Sequence, residues 1–220
     1  MPKLRKCSTL YATYMKILVT LTIAVTLASC ISQQQTDEVI SKTIHIPDSL
    51  GTFYSRQEYN DYKKLKTISA QLKLDSLEND TSSLEIRVWS LSSYFNPQSV
   101  RILKKRNGKY LLSLITFYVA PQNWETGKID SIRPELRVQI SSSDIEKLKI
   151  DSIWKLPSQS EMSNGDSFGC VDGSDLLLEM SNKVKYKYSF YRCPYILRER
   201  DKVFETIDIF SNKIGALFRQ

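Results

Sequence analysis

The sequence has a single histidine, His45, and no acidic residue before Asp37. One imidazole cannot build a histidine-rich metal site, and no His-Glu-x-x-His helix, Walker A loop or Gly-x-Gly-x-x-Gly turn occurs. Glycine and proline number 7 each in 220 residues, which excludes collagen-like and low-complexity chains. Hydrophobic residues make up 41% and charged residues 25%, an ordinary balance for one domain or two small ones. A phosphate-binding footprint is also missing. The formal charge is +7, but Lys3, Arg5, Lys6 and Lys16 all precede residue 30. Beyond them basic residues exceed acidic ones by only three, and Lys104-Lys105-Arg106 reads as the solvated end of a hairpin. No nucleic-acid partner is expected.

The most apolar stretch, residues 17–29, spans 13 residues. A membrane-crossing helix needs about 20. A basic start, a short apolar run and small residues at its end make a secretory signal peptide over residues 1–29, with Met15 as an alternative start. Leu27-Ala28-Ser29-Cys30 resembles the lipobox of bacterial lipoproteins. That resemblance implies cleavage before Cys30, acylation of Cys30 and a lipid anchor in the cell envelope. Ile31, rather than Asp, follows the cysteine; by resemblance to the enterobacterial sorting rule, the outer membrane is favoured.

Residues 30–48 read as the lipidated cysteine and a polar tether, and residues 49–220 as one domain. Tyr59, Tyr62, Leu65, Ile68 and Leu72 recur at helical spacing, so a helix is expected from about Arg56 to Leu77, closed by Asn79-Asp80. Leu84, Ile86 and Val88 alternate with Glu85, Arg87 and Trp89, the pattern of a half-buried strand. Asn107-Gly108 marks a hairpin between Val100–Arg106 and Lys109–Val119. Leu136–Ile140 reads as a strand and Asp144–Ile153 as a short helix. In the last hairpin, matching the apolar faces pairs Met180 with Val184, Leu178 with Tyr186 and Leu176 with Tyr188, and sets Glu179 opposite Lys185. Val203, Ile207, Phe210, Ile214 and Leu217 define a C-terminal amphipathic helix. The expected fold is α+β: an antiparallel sheet of about five or six strands with that helix packed on one face.

Residues for chemistry are few. His45, at the end of the tether, reads as a spectator. Asp166, Asp172 and Asp175 lack the spacing of a calcium loop and read as turn formers. Pro157–Ser174 is a long irregular stretch, and Asp166, Phe168, Asp172 and Asp175 are its candidate binding residues. Cys170 and Cys193 remain to form a disulfide, which the compartment beyond the inner membrane permits. In the register above Val171 faces Cys193, so a bulge at Gly169 or Gly173 is needed to bring Cys170 opposite. The chain resembles small Bacteroidota envelope lipoproteins in its signal, composition and closing hairpin. Asp48-Ser49-Leu50, Asp75-Ser76-Leu77, Asp130-Ser131-Ile132 and Asp151-Ser152-Ile153 each resemble the acceptor of periplasmic O-glycosylation in that phylum. Ser49, Ser76, Ser131 and Ser152 are therefore candidate glycan sites. The expected function is non-catalytic binding of an envelope protein, a glycan or a secreted toxin, in the manner of an immunity or inhibitor protein. The alternative is a carboxylate-dependent hydrolase of envelope polymers. No metal or cofactor is expected.

Overall fold

The computed structural model describes residues 41–51, 53–80, 83–91, 97–163 and 174–219, all within one compact unit. Eight strands form a single sheet: β1 (Thr43–His45), β2 (Leu84–Leu91), β3 (Gln98–Arg106), β4 (Lys109–Tyr118), β5 (Ser131–Ile132), β6 (Leu136–Ile140), β7 (Asp175–Ser181) and β8 (Lys185–Arg192). Their order is β1-β8-β7-β2-β3-β4, and β5 and β6 share the outer side of β4. Every pairing is antiparallel except β1 with β8. The helices are α1 (Phe53–Gln71), α2 (Ser142–Lys147), α3 (Ile150–Trp154), α4 (Pro194–Leu197) and α5 (Lys202–Ala216). The α+β class and the packed C-terminal helix are as expected. Two short strands, β1 and β5, raise the count above six. β1 lies within the span read as tether, so the sheet reaches back before residue 49.

Both faces of the sheet are covered. On one, Ile86, Val88, Leu178 and Met180 pack against Phe204, Ile207, Phe210 and Ile214 of α5. On the other, Trp89, Phe117, Tyr186 and Tyr188 pack against Leu65 and Ile68 of α1. α1 stops at Gln71, before the expected Leu77, because Lys73 turns into the left-handed region at φ 57°. Lys73 N–H then donates to Ala70 O and Leu74 N–H to Ser69 O, which ends the helix in a Schellman motif. The expected helix over Asp144–Ile153 is two, α2 and α3, separated by Lys149 at φ 50°. Asn107 and Gly108 both have positive φ, and Arg106 pairs with Lys109 across the expected hairpin turn.

The last hairpin differs from its sequence reading. Leu178 lies opposite Ser189, Met180 opposite Lys187 and Glu179 opposite Tyr188, three residues from the expected register. An odd shift puts Leu176, Leu178 and Met180 on the α5 face and Tyr186, Tyr188 and Phe190 on the α1 face. The expected register assumed one wet face, and neither face is wet, so apolar alternation could not choose between them. Asn182 supplies the local determinant: its side-chain oxygen accepts from Val184 N–H and Lys185 N–H. β2 is central rather than half-buried, with Glu85 and Arg87 each only 2% exposed.

Candidate functional site

The edge of the sheet at β1, the last strand on that side among the described residues, carries two adjoining cavities. A groove of about 740 Å³ runs between β1, the start of β8, α3 and the segment that follows it. A chamber of about 330 Å³ lies beneath the N-terminal part of α1, behind the 3-10 turn Gln159–Glu161. His45 and Glu161 line both, and their side chains meet at 2.8 Å. This contact forms the wall between groove and chamber.

The chamber is built on Glu58 of α1, which is nearly fully buried. Ser158 Oγ donates to both carboxylate oxygens at 3.1 Å, Ser160 N–H to one at 3.0 Å and Ser160 Oγ to the other at 2.7 Å. Burial still dominates, raising this carboxyl from its ordinary 4.5 to about 7, with Glu161 adding repulsion. The turn is secured by a capping box, in which Ser158 N–H donates to Glu161 Oε2 at 2.6 Å. Ser158 Oγ also accepts from Phe190 N–H, and Gln159 Oε1 from Arg192 N–H. The turn thus satisfies the edge of β8 where β1 ends. Tyr188 lines the chamber, and its buried hydroxyl has no hydrogen-bond partner among the described residues.

The groove floor holds Lys187, whose ammonium donates to the carbonyl oxygens of Trp154 and Leu156. Desolvation lowers its pKa, opposed by the charge of Glu161. Lys155 and Lys185 line the same groove and are exposed. None of the three lysines forms a salt bridge among the described residues.

Beneath α1 lies a second polar centre with a structural role. Glu179, fully buried, accepts from Lys66 Nζ at 2.8 Å, Tyr186 OH at 2.9 Å and Trp89 Nε1 at 3.0 Å. Arg87 contacts it at 4.0 Å, donates to Glu85 at 2.8 Å and reaches Asp75 O at 2.8 Å. Lys66 also meets Glu78 at 2.7 Å. Burial works against ionisation of Glu78, but hydrogen bonds from Lys66, Ser76 and Tyr62 outweigh it and hold that carboxyl at about 2. Lys42, just before β1, donates to Leu77 O, Asp80 O and Ser181 Oγ, each at 2.6 Å. Apart from Lys42, whose partners are carbonyls and a hydroxyl, the charges of this centre pair with one another, and it fastens the loop after α1 to the middle of the sheet.

The residues singled out from sequence scatter. Cys30, Asp166, Phe168, Cys170 and Asp172 lie outside the described residues. Asp175 is the first residue of β7 rather than part of a loop. Its carboxyl, 3.7 Å from Arg192, is raised by burial to about 6. Ser158–Glu161, in the stretch read as irregular, is an anchored turn. Ser49, Ser76, Ser131 and Ser152 are all exposed; Ser76 donates to Glu78, and Ser152 to Lys149 O. His45 is a cavity-lining residue, and Glu58 and Ser160 had no local signal. A Ser-x-x-Lys spacing, Ser152 to Lys155, puts its serine hydroxyl on the Lys149 carbonyl at 2.7 Å. Cys193 is disulfide-bonded, to a cysteine outside the described residues. The observed register puts Ser174 opposite it, with Cys193 N–H donating to Ser174 O, so a one-residue bulge does not account for a bridge to Cys170. If Cys170 is the partner, the closed loop of about 22 residues is worth roughly 3 kcal/mol. Reduction should lower the urea midpoint of the wild type and leave Cys193→Ser unmoved. No family model, curated protein or solved structure matches the chain.

Proposed function

We propose that the chain is a lipid-anchored envelope protein whose domain works by binding a protein partner through the groove beside β1. The groove itself carries this reading: a large open cleft with Trp154 on its wall and three lysines that outnumber its two carboxylates, Asp151 and Glu161, and form no salt bridge with a described residue. The lipobox at Cys30 supports the anchor, and the Asp-Ser-apolar serines, all exposed, are proposed glycan acceptors. An envelope protein and a secreted toxin are both protein partners, and the alternative partner is a glycan.

A hydrolase is the second reading, favoured by the His45–Glu161 pair, since a carboxylate-oriented imidazole is half of a nucleophile-activating triad. Gly165-Asp166-Ser167-Phe168-Gly169 carries a Gly-x-Ser-x-Gly spacing outside the described residues. A nucleophile elbow needs such a serine on a strand-to-helix turn with a histidine in reach. Glu58, the other acid–base candidate, already accepts from Ser158 and Ser160.

Acyl labelling and fractionation of wild type and Cys30→Ala test the anchor: the variant should lose both label and membrane attachment. Capture from native envelopes tests the groove. The double charge reversal Lys155→Glu/Lys185→Glu should lose the protein that the wild type retains, with unchanged thermal unfolding. Equal capture by both would overturn the reading. So would hydrolysis of an ester substrate by the wild type that Ser167→Ala abolishes.

A further inference from the structure

β1 is the last strand on its side of the sheet among the described residues. It pairs in parallel with β8, Thr43 opposite Lys185 and His45 opposite Lys187, and Thr43 N–H donates to Val184 O at 2.9 Å. In a strand the N–H and C=O of one residue point to the same side, and successive residues alternate. Thr43 and His45 therefore turn their backbone groups toward β8, and Ile44 turns its N–H and C=O away from the sheet. The Ile44 side chain is 49% exposed and Ile46 39% exposed, on the face opposite Thr43 and His45. The groove side holds His45, Lys185 and Lys187 on the strands and Lys155 across the cleft.

We propose that an extended acidic segment of a protein adds to β1 as a further strand, an inference that rests on the binding reading above. The outward donor and acceptor of Ile44, without a partner among the described residues, would complete a ladder with it. Side chains on alternate residues of the incoming strand would fall on opposite faces. Those on the groove side meet three lysines that outnumber the carboxylates of Asp151 and Glu161 and form no salt bridge with a described residue, so acidic residues complement them there. Those on the other side meet Ile44 and Ile46, so apolar residues suit that face. The ligand class is a peptide in which acidic and apolar residues alternate. An anionic glycan could engage the lysines but offers no backbone amide or carbonyl to Ile44.

The probe is a fluorescein-labelled octapeptide of alternating Glu and Val, titrated against the full-length lipidated protein in detergent and read by anisotropy. Ile44→Pro removes only the outward N–H, because that donor is not used toward β8, and proline is tolerated on an edge strand. It should weaken the peptide at least tenfold, while Ile44→Val stays within twofold. The same peptide with N-methyl groups on alternate residues should also fail to bind, and it tests the ladder without altering the protein. Lys155→Glu/Lys185→Glu should abolish binding. Wild type that does not bind the peptide, or binding indifferent to Ile44→Pro and to N-methylation, overturns the proposal. Polygalacturonate bound in a lysine-dependent, Ile44-independent way would assign the groove to a glycan instead. If charge-sensitive capture from envelopes persists while the peptide fails, strand addition falls and the binding reading stands.

Discussion

Arg87→Met is expected to lower the folding free energy by about 3–5 kcal/mol, the usual consequence of removing one member of a buried ion pair. That is a large share of the roughly 5–15 kcal/mol that holds a typical domain together. Arg87 is 2% exposed and lies between Glu85 and Glu179, which are 2% and 0% exposed. Methionine fills the space but leaves Glu85 Oε1 without the two guanidinium donors it meets and Asp75 O without the Arg87 hydrogen bond. The remaining cations, Lys66 and Lys104, sit at the margin of the centre and are partly solvated. Urea denaturation should show the loss as a lower midpoint with an unchanged slope. Adding Glu85→Gln to Arg87→Met should recover part of it, because the surplus is negative charge. A double variant less stable than Arg87→Met would show that packing, not charge, holds the centre together.

The second large effect concerns pH. The Glu58 carboxyl sits at about 7 in the folded chain against an ordinary 4.5, so the folded state keeps a proton that the unfolded state releases. Its favourable contribution is complete below about 4.5 and disappears as pH rises through 7. That displacement corresponds to roughly 3 kcal/mol. Asp175, raised to about 6, acts in the same direction. Glu78, held at about 2, acts oppositely, and its contribution is lost only as pH falls from 4.5 toward 2. Stability should therefore peak near pH 4–5 and decline toward pH 8. Glu58→Gln carries no charge at any pH and can still accept from Ser160 N–H. It should be neutral near pH 4.5 and stabilising by up to roughly 3 kcal/mol at pH 8. Equal stability differences at the two pH values would show that folding does not raise the Glu58 carboxyl.

What could be read from sequence was local. Asn107-Gly108 names its own turn because few other pairs accept two positive φ values. The apolar spacing of α1 and α5 gives their buried faces directly. Register in the last hairpin was hidden, since both faces are covered and every residue from Tyr186 to Phe190 is buried or half-buried. Glu85, Arg87 and Glu179 look solvent-facing in sequence because alternation codes charge as outside. Their neutralisation comes from partners far along the chain, as does the coverage of the second face by α1. The site is hidden for the same reason. Glu58 meets Ser158 and Ser160 across about a hundred residues, and no local pattern announces such a meeting. The helix end at Lys73 was missed because lysine, not glycine, takes the left-handed position.

The pairing of β2 with β7 has a temporal side. Trp89 and Glu179 are 90 residues apart, and at about 5–20 residues per second the second follows the first by roughly 5–20 seconds of synthesis. β2, β3 and β4 can form a meander early, since each is joined to the next by a short link. Until β7 arrives, that meander has an unpaired edge along β2, with Arg87 still lacking Glu179 and an apolar surface awaiting α5. A nascent chain in that interval is a ready target for intermolecular strand pairing. Its yield will depend on how well holding chaperones cover residues 84–118 before the final hairpin and helix close over them.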